Sequence, residues 1–107
     1  MAKSRLDLHK IFVEILGTEN ETESRVYFQP PPTIKLKYPC IIYERSAKKD
    51  FFSAGKKYLG LVKYSVSVVD KNPDSTIPMR VENLPYTSFS THFTVDGLNH
   101  DIYTLYY

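Results

Sequence analysis

The 107-residue chain has no tryptophan, one cysteine and only four glycines. A single Cys40 excludes an internal disulfide, and its place between Pro39 and Ile41-Ile42 marks it as a small buried side chain. The glycines stand apart, so no glycine-rich loop is available to cradle a phosphate. No apolar run approaches the ~20 residues of a membrane span. Charge of one sign is also lacking: 14 Lys and Arg against 12 Asp and Glu leave +2, too little by itself to imply nucleic-acid binding. Met1 to Arg5 is basic, but Asp7, His9, Lys10 and Glu14 interrupt the adjoining apolar residues, so the N-terminus does not read as a signal peptide. Cytosolic synthesis is the expectation.

Aromatic residues are plentiful: nine tyrosines and six phenylalanines. The richest segment is Leu84 to Tyr107, LPYTSFSTHFTVDGLNHDIYTLYY. Phe89, Thr91, Phe93 and Val95 alternate with Ser88, Ser90, His92 and Thr94. Asp96-Gly97 supplies a turn, and Ile102, Thr104 and Tyr106 alternate with Tyr103, Leu105 and Tyr107 on the return. An Asp-Gly pair between two period-2 runs predicts a hairpin. Tyr106 and Tyr107 need cover, from this domain's helices or from another subunit.

Leu8, Ile11, Phe12, Ile15 and Leu16 recur at helical spacing, with Ser4 and Asp7 to cap the start and Gly17 to end it. Residues 18–24 are polar and read as an exposed loop. Arg25 to Gln29 is a short strand stopped by Pro30, Pro31 and Pro32, which favour a stiff polyproline segment continuing through Thr33 to Lys37 as an extended arm. Tyr38 to Glu44 is a strand. Leu59 to Asp70 is another, with Val62, Tyr64, Val66 and Val68 inward and Lys63, Ser65 and Ser67 outward. Residues 45–57 break the pattern and read as the loop of a long hairpin. Asn72 to Ser75 form a turn leading into a two-turn helix, Ile77 to Leu84, where Pro78 is tolerated in the first turn. The order is helix, three strands, helix, two strands. This predicts one α+β domain over residues 1–107, a mostly antiparallel sheet with a long hairpin and two short helices on one face.

Catalysis finds no foothold. His100 and Asp101 are neighbours on a strand and point to opposite faces, so they cannot form an oriented base-carboxylate pair. His9 and His92 read as solvated or structurally hydrogen-bonded, and Asp70 and Asp74 flank a proline turn as backbone caps. No metal, cofactor or catalytic residue is expected. The 45–57 segment is different: Arg45, Lys48, Lys49, Lys56 and Lys57, opposed only by Asp50, surround Phe51 and Phe52. Basic residues among aromatics suit single-stranded nucleic acid, whereas two phenylalanines outside the core pattern suit a protein interface. The latter reading is favoured, with Phe51, Phe52, Pro30, Pro31, Tyr106 and Tyr107 at subunit contacts.

Several blocks occur in an order that resembles the tail terminator or tail completion proteins of long-tailed bacteriophages. They are Val26-Tyr27-Phe28-Gln29-Pro30-Pro31, Tyr38-Pro39-Cys40-Ile41-Ile42-Tyr43, Tyr64 to Pro78 (YSVSVVDKNPDSTIP) and Leu84 to Tyr107. Together they span most of the chain from Leu6 onward. The resemblance implies a tail-terminator-like fold, no enzymatic activity and a hexameric ring in the virion. Such a ring caps the tail tube and meets the head connector. It implies tail tube and neck proteins as partners and no membrane; Arg45, Lys48, Lys49, Lys56 and Lys57 would suit either a lumen that passes DNA or charged contacts between subunits. Departures fall at the third proline, at residues 18–24 and in the lysine-rich 45–57 segment. A head-closure or adaptor neck protein is the alternative, and a small nucleic-acid-binding module using 45–57 is the alternative of a different class.

Overall fold

A computed structural model describes residues 4–17, 25–53 and 56–107, with residues 47–53 and 56–61 described by their main chain alone. The elements run α1 (Arg5–Leu16), β1 (Val26–Phe28), β2 (Cys40–Ser53), β3 (Lys56–Asp70), α2 (Ile77–Glu82), β4 (Thr87–Val95) and β5 (Leu98–Tyr106). This is the element order read from the sequence, and the α+β class holds. The sheet order is β1-β2-β3-β5-β4, antiparallel except for the short parallel pair β1-β2.

Local chemistry sets the boundaries. The Ser4 side chain accepts a hydrogen bond from the Leu6 amide, and Gly17 closes α1 at φ 74°, with its amide donating to the Val13 and Glu14 carbonyls. Asp96 (φ 53°) and Gly97 (φ 75°) both take the left-handed backbone that a two-residue hairpin turn requires. Asp70 Oδ1 accepts from the Asn72 amide and Asn72 Oδ1 from the Asp74 amide, shaping the approach to α2.

Cross-strand partners share a face of the sheet. Val26 and Phe28 of β1, Ile41 and Tyr43 of β2, Tyr64, Val66 and Val68 of β3, and Tyr103 and Leu105 of β5 therefore line one face. Leu8 and Phe12 of α1 and Val81 of α2 complete that core, and nearly all of these side chains are fully buried. Val62 and Ile15 are half-buried and pack against it; Ile15, expected inside, sits at its margin. Arg80 Nη1 donates to the Ile15 carbonyl at 3.2 Å, tying α2 to the last turn of α1. On the opposite face Cys40 and Val69 are buried, while Ile42, Ser65, Ser67, Ile102 and Thr104 are half-buried.

Three expectations change. The 45–57 segment is not a loop: β2 continues to Ser53 and β3 begins at Lys56, paired throughout apart from two irregularities. The stretch after Pro30 is not an uninterrupted arm, since the Ile34 amide donates to the Pro31 carbonyl at 3.2 Å and closes a turn. Ser90 has no partner on β5, and the register shifts between Phe89 and Thr91. The bulge places Phe89 with Tyr103 on the helix-covered face and Thr91, Phe93 and Val95 on the other. Strict alternation had put all four together.

Candidate assembly surfaces

The β2-β3 pair outgrows the sheet. β1 covers β2 only at Ile41 to Tyr43, and β5 covers β3 only from Lys63 to Asp70. Beyond those limits, Lys48 is partnered with Val62, Lys49 with Leu61, Asp50 with Gly60, Phe51 with Leu59, Phe52 with Lys57 and Ser53 with Lys56. A two-stranded ribbon thus extends past the five-stranded body, and the molecule measures 50 × 29 × 26 Å. The side chains of Lys48, Lys49, Phe51, Phe52, Lys56 and Lys57 lie outside the described residues, as do Glu19, Glu21 and Glu23. What is established for the six is their place on the ribbon. Arg45, at its base, is exposed.

Of the remaining interface residues, Pro31 is exposed and Pro30 half-buried. Tyr107 exchanges main-chain hydrogen bonds with Val62 at 3.0 and 3.1 Å and packs against the core. Tyr106 donates its amide to the Tyr86 carbonyl at 3.1 Å. The main chains of both tyrosines are tied into their own sheet, and both side chains are half-buried. Burial pushes the Tyr107 hydroxyl pKa up, with a smaller contribution from Asp7.

A second exposed surface was not identified from the sequence. β4 forms the free margin of the sheet, and its large side chains remain open: Phe89 is 51% exposed, Phe93 44% and Val95 50%, with Tyr86 just before the strand at 73%. Phe93 stacks on His100 at 4.6 Å between ring centres, and Phe89 meets Tyr103 edge-on at 5.7 Å. The signal was present in the sequence as an aromatic strand without charge; its exposure follows from the sheet order, which leaves β4 outermost.

The histidines occupy structural positions. His92 Nδ1 and Asp101 Oδ1 are 2.8 Å apart, brought together by the β4-β5 register. The sequence neighbours His100 and Asp101 point apart, as expected; the partner across the strand was the one missed. His9 Nδ1 lies 2.7 Å from the hydroxyl of the buried Tyr43, which also accepts a 3.0 Å bond from Arg5 Nη1. Arg5 in turn lies 4.3 Å above the Phe28 ring. Desolvation, then the Arg5 charge, lowers the His9 pKa. Burial pushes the Cys40 thiol to about 12, which leaves it protonated and unreactive. Among the described residues no three His, Cys, Asp or Glu side chains gather as a metal site, and no helix is long and apolar enough to cross a membrane. In comparison with known proteins, no family model and no curated protein matches this chain.

Proposed function

We propose that this chain is a structural virion protein that forms a ring at the head-proximal end of a phage tail, where it terminates the tail tube and joins it to the head connector. The observation that carries the reading is a projecting ribbon on a body whose opposite margin is an uncharged, aromatic strand. A ring subunit needs two unlike surfaces that meet head to tail around an axis. The ordered sequence blocks that resemble tail terminator proteins supply the identity of the ring, six copies and the lack of an enzymatic role. Lys48, Lys49, Lys56 and Lys57 on a ribbon turned toward a lumen would attract DNA phosphate without reading sequence. The subunit would be made in the host cytoplasm and end in the virion neck.

The test is deletion of the encoding gene in the phage, followed by negative-stain microscopy. The expected phenotype is filled heads beside tails of uncontrolled length that fail to join. Leaking heads beside tails of normal length would instead establish a head-closure or adaptor role. Sub-micromolar, salt-dependent DNA binding by the monomer would favour the nucleic-acid module.

A further inference from the structure

The two margins of the sheet have complementary deficits. On one side, β1 shields β2 from Ile41 to Tyr43. Gln29 extends the shield: its amide donates to the Tyr43 carbonyl at 3.0 Å, and its Oε1 accepts from the Arg45 amide at 3.2 Å. From residue 47 to residue 53, β2 has no neighbour on that side among the described residues. On the other side, β4 pairs only with β5 among the described residues. β4 reads TSFSTHFTV, without Lys, Arg, Asp, Glu or Pro. Edge strands normally carry such residues to prevent pairing with a second chain. Here that protection is confined to a single bulge, at Ser90.

We propose that β4 of one copy of this chain adds to the unpaired edge of β2, residues 47–53, of a second copy. This names the contact within the ring proposed above and rests on that reading for the number of copies. β4 is long enough to cover the edge: at about 3.3 Å per residue, seven residues of β2 span roughly 23 Å and nine of β4 roughly 30 Å. Charge selects the pairing. The β2 segment contains Lys48, Lys49 and Asp50, so two such edges side by side would bring together net charge of the same sign, whereas β4 carries no Lys, Arg, Asp or Glu. Stability selects it as well, because a two-stranded ribbon is marginal in water and a third strand supports it.

The partner is a second copy because each chain carries both the unprotected edge and the unsupported ribbon, on opposite margins. One repeated contact satisfies both, and a head-to-tail contact closes into a ring when the rotation permits. The other edge of the ribbon, on β3, is a poorer acceptor. Its free stretch, residues 56–61 beyond the Val62–Tyr107 pair, is one residue shorter than that of β2.

The test is disulfide trapping between full-length variants. Thr91→Cys is mixed in turn with Lys49→Cys, Asp50→Cys and Phe51→Cys, at protein concentrations that drive self-association and in a mild oxidising buffer. The three positions allow for register, and the buried Cys40 stays silent. The expected result is a mixed dimer for at least one combination, exceeding either homodimer several-fold. Adding Ser88→Lys and Ser90→Lys, both exposed, should cut the mixed product at least tenfold without shifting the thermal midpoint. No mixed disulfide in any combination, or Thr91→Cys homodimers in excess, overturns the proposal. Counting copies by negative stain separates the two claims. Open chains with the mixed disulfide would sink the ring and keep the edge contact, and closed rings without it would do the reverse.

Discussion

The hydroxyl of Tyr43 lies 2.7 Å from Nδ1 of His9, with Arg5 donating to the same oxygen from 3.0 Å. Because the guanidinium can only donate, the Tyr43 proton is left for His9, which accepts it when the imidazole is neutral and bare at Nδ1. Protonating His9 removes that acceptor and adds a charge beside Arg5.

Stability should therefore depend on pH through His9. Its folded pKa is lowered from 6.5, so the unfolded chain binds the proton more readily. Stability is at its full value above about pH 6.5, falls as the pH drops from there toward the folded pKa, and levels off below it. Thermal midpoints between pH 8 and pH 5 test this. His9→Gln should flatten the profile; an unchanged slope would mean that other groups carry it.

Removing the Tyr43 hydroxyl leaves Arg5 and His9 without their shared partner. Tyr43→Phe should cost about 1–2 kcal/mol, typical for an interrupted hydrogen bond with a charged donor. Urea denaturation of the single variants and of Tyr43→Phe/His9→Gln would expose the coupling. Strictly additive losses would show that the bond contributes nothing.

Val66 is fully buried between its cross-strand partners Tyr43 and Tyr103. Val66→Ala should cost about 2 kcal/mol through lost burial and the cavity left behind. An undiminished urea midpoint would contradict the register of the central strands.

Cys40 should be invisible to thiol reagents in the native protein, being fully buried with its pKa near 12. Labelling with a chromogenic disulfide should proceed at the rate of unfolding and become immediate in denaturant. Rapid labelling of the folded chain would place the residue outside the core.

The ribbon variants separate folding from assembly. Phe51→Ser/Phe52→Ser should leave the domain folded, because both positions lie on the ribbon past the five-stranded part of the sheet, yet prevent ring or tail assembly. Replacing Lys48, Lys49, Lys56 and Lys57 by Ser should permit rings but reduce infectivity if the lysines face DNA. If they pair with acidic groups of a neighbour, assembly itself weakens, most at low salt. Size-exclusion mass distinguishes these results; rings identical to the parent's from both variants would leave the ribbon without an assembly role.

The elements and their order were legible because burial imposes periodicity. Leu8 and Phe12 face the sheet at helical spacing, and Tyr64, Val66 and Val68 face the helices at strand spacing. The Asp96-Gly97 turn was legible from its backbone requirement. The ribbon was not: among the described residues no third strand pairs with β2 over residues 47–53, so the sheet body that imposes alternation elsewhere ends before them. Ser90 was hidden for a different reason, since a bulge is a property of pairing and the unpaired residue resembles any other serine. The His92–Asp101 contact was likewise missed because it depends on register, nine residues apart, and not on adjacency.

The sheet order has a further consequence, for the sequence of events in folding. β5 lies between β3 and β4 although it follows both in the chain. Until residues 98–106 have left the ribosome, β3 keeps an open flank and β4 has no mate within its own chain. The β2-β3 hairpin and α1 can assemble early through nearer contacts, but the second half of the sheet closes in one late step. Nascent chains stalled before Leu98 has emerged should remain protease-sensitive across β4, and those stalled after Tyr106 has emerged should not.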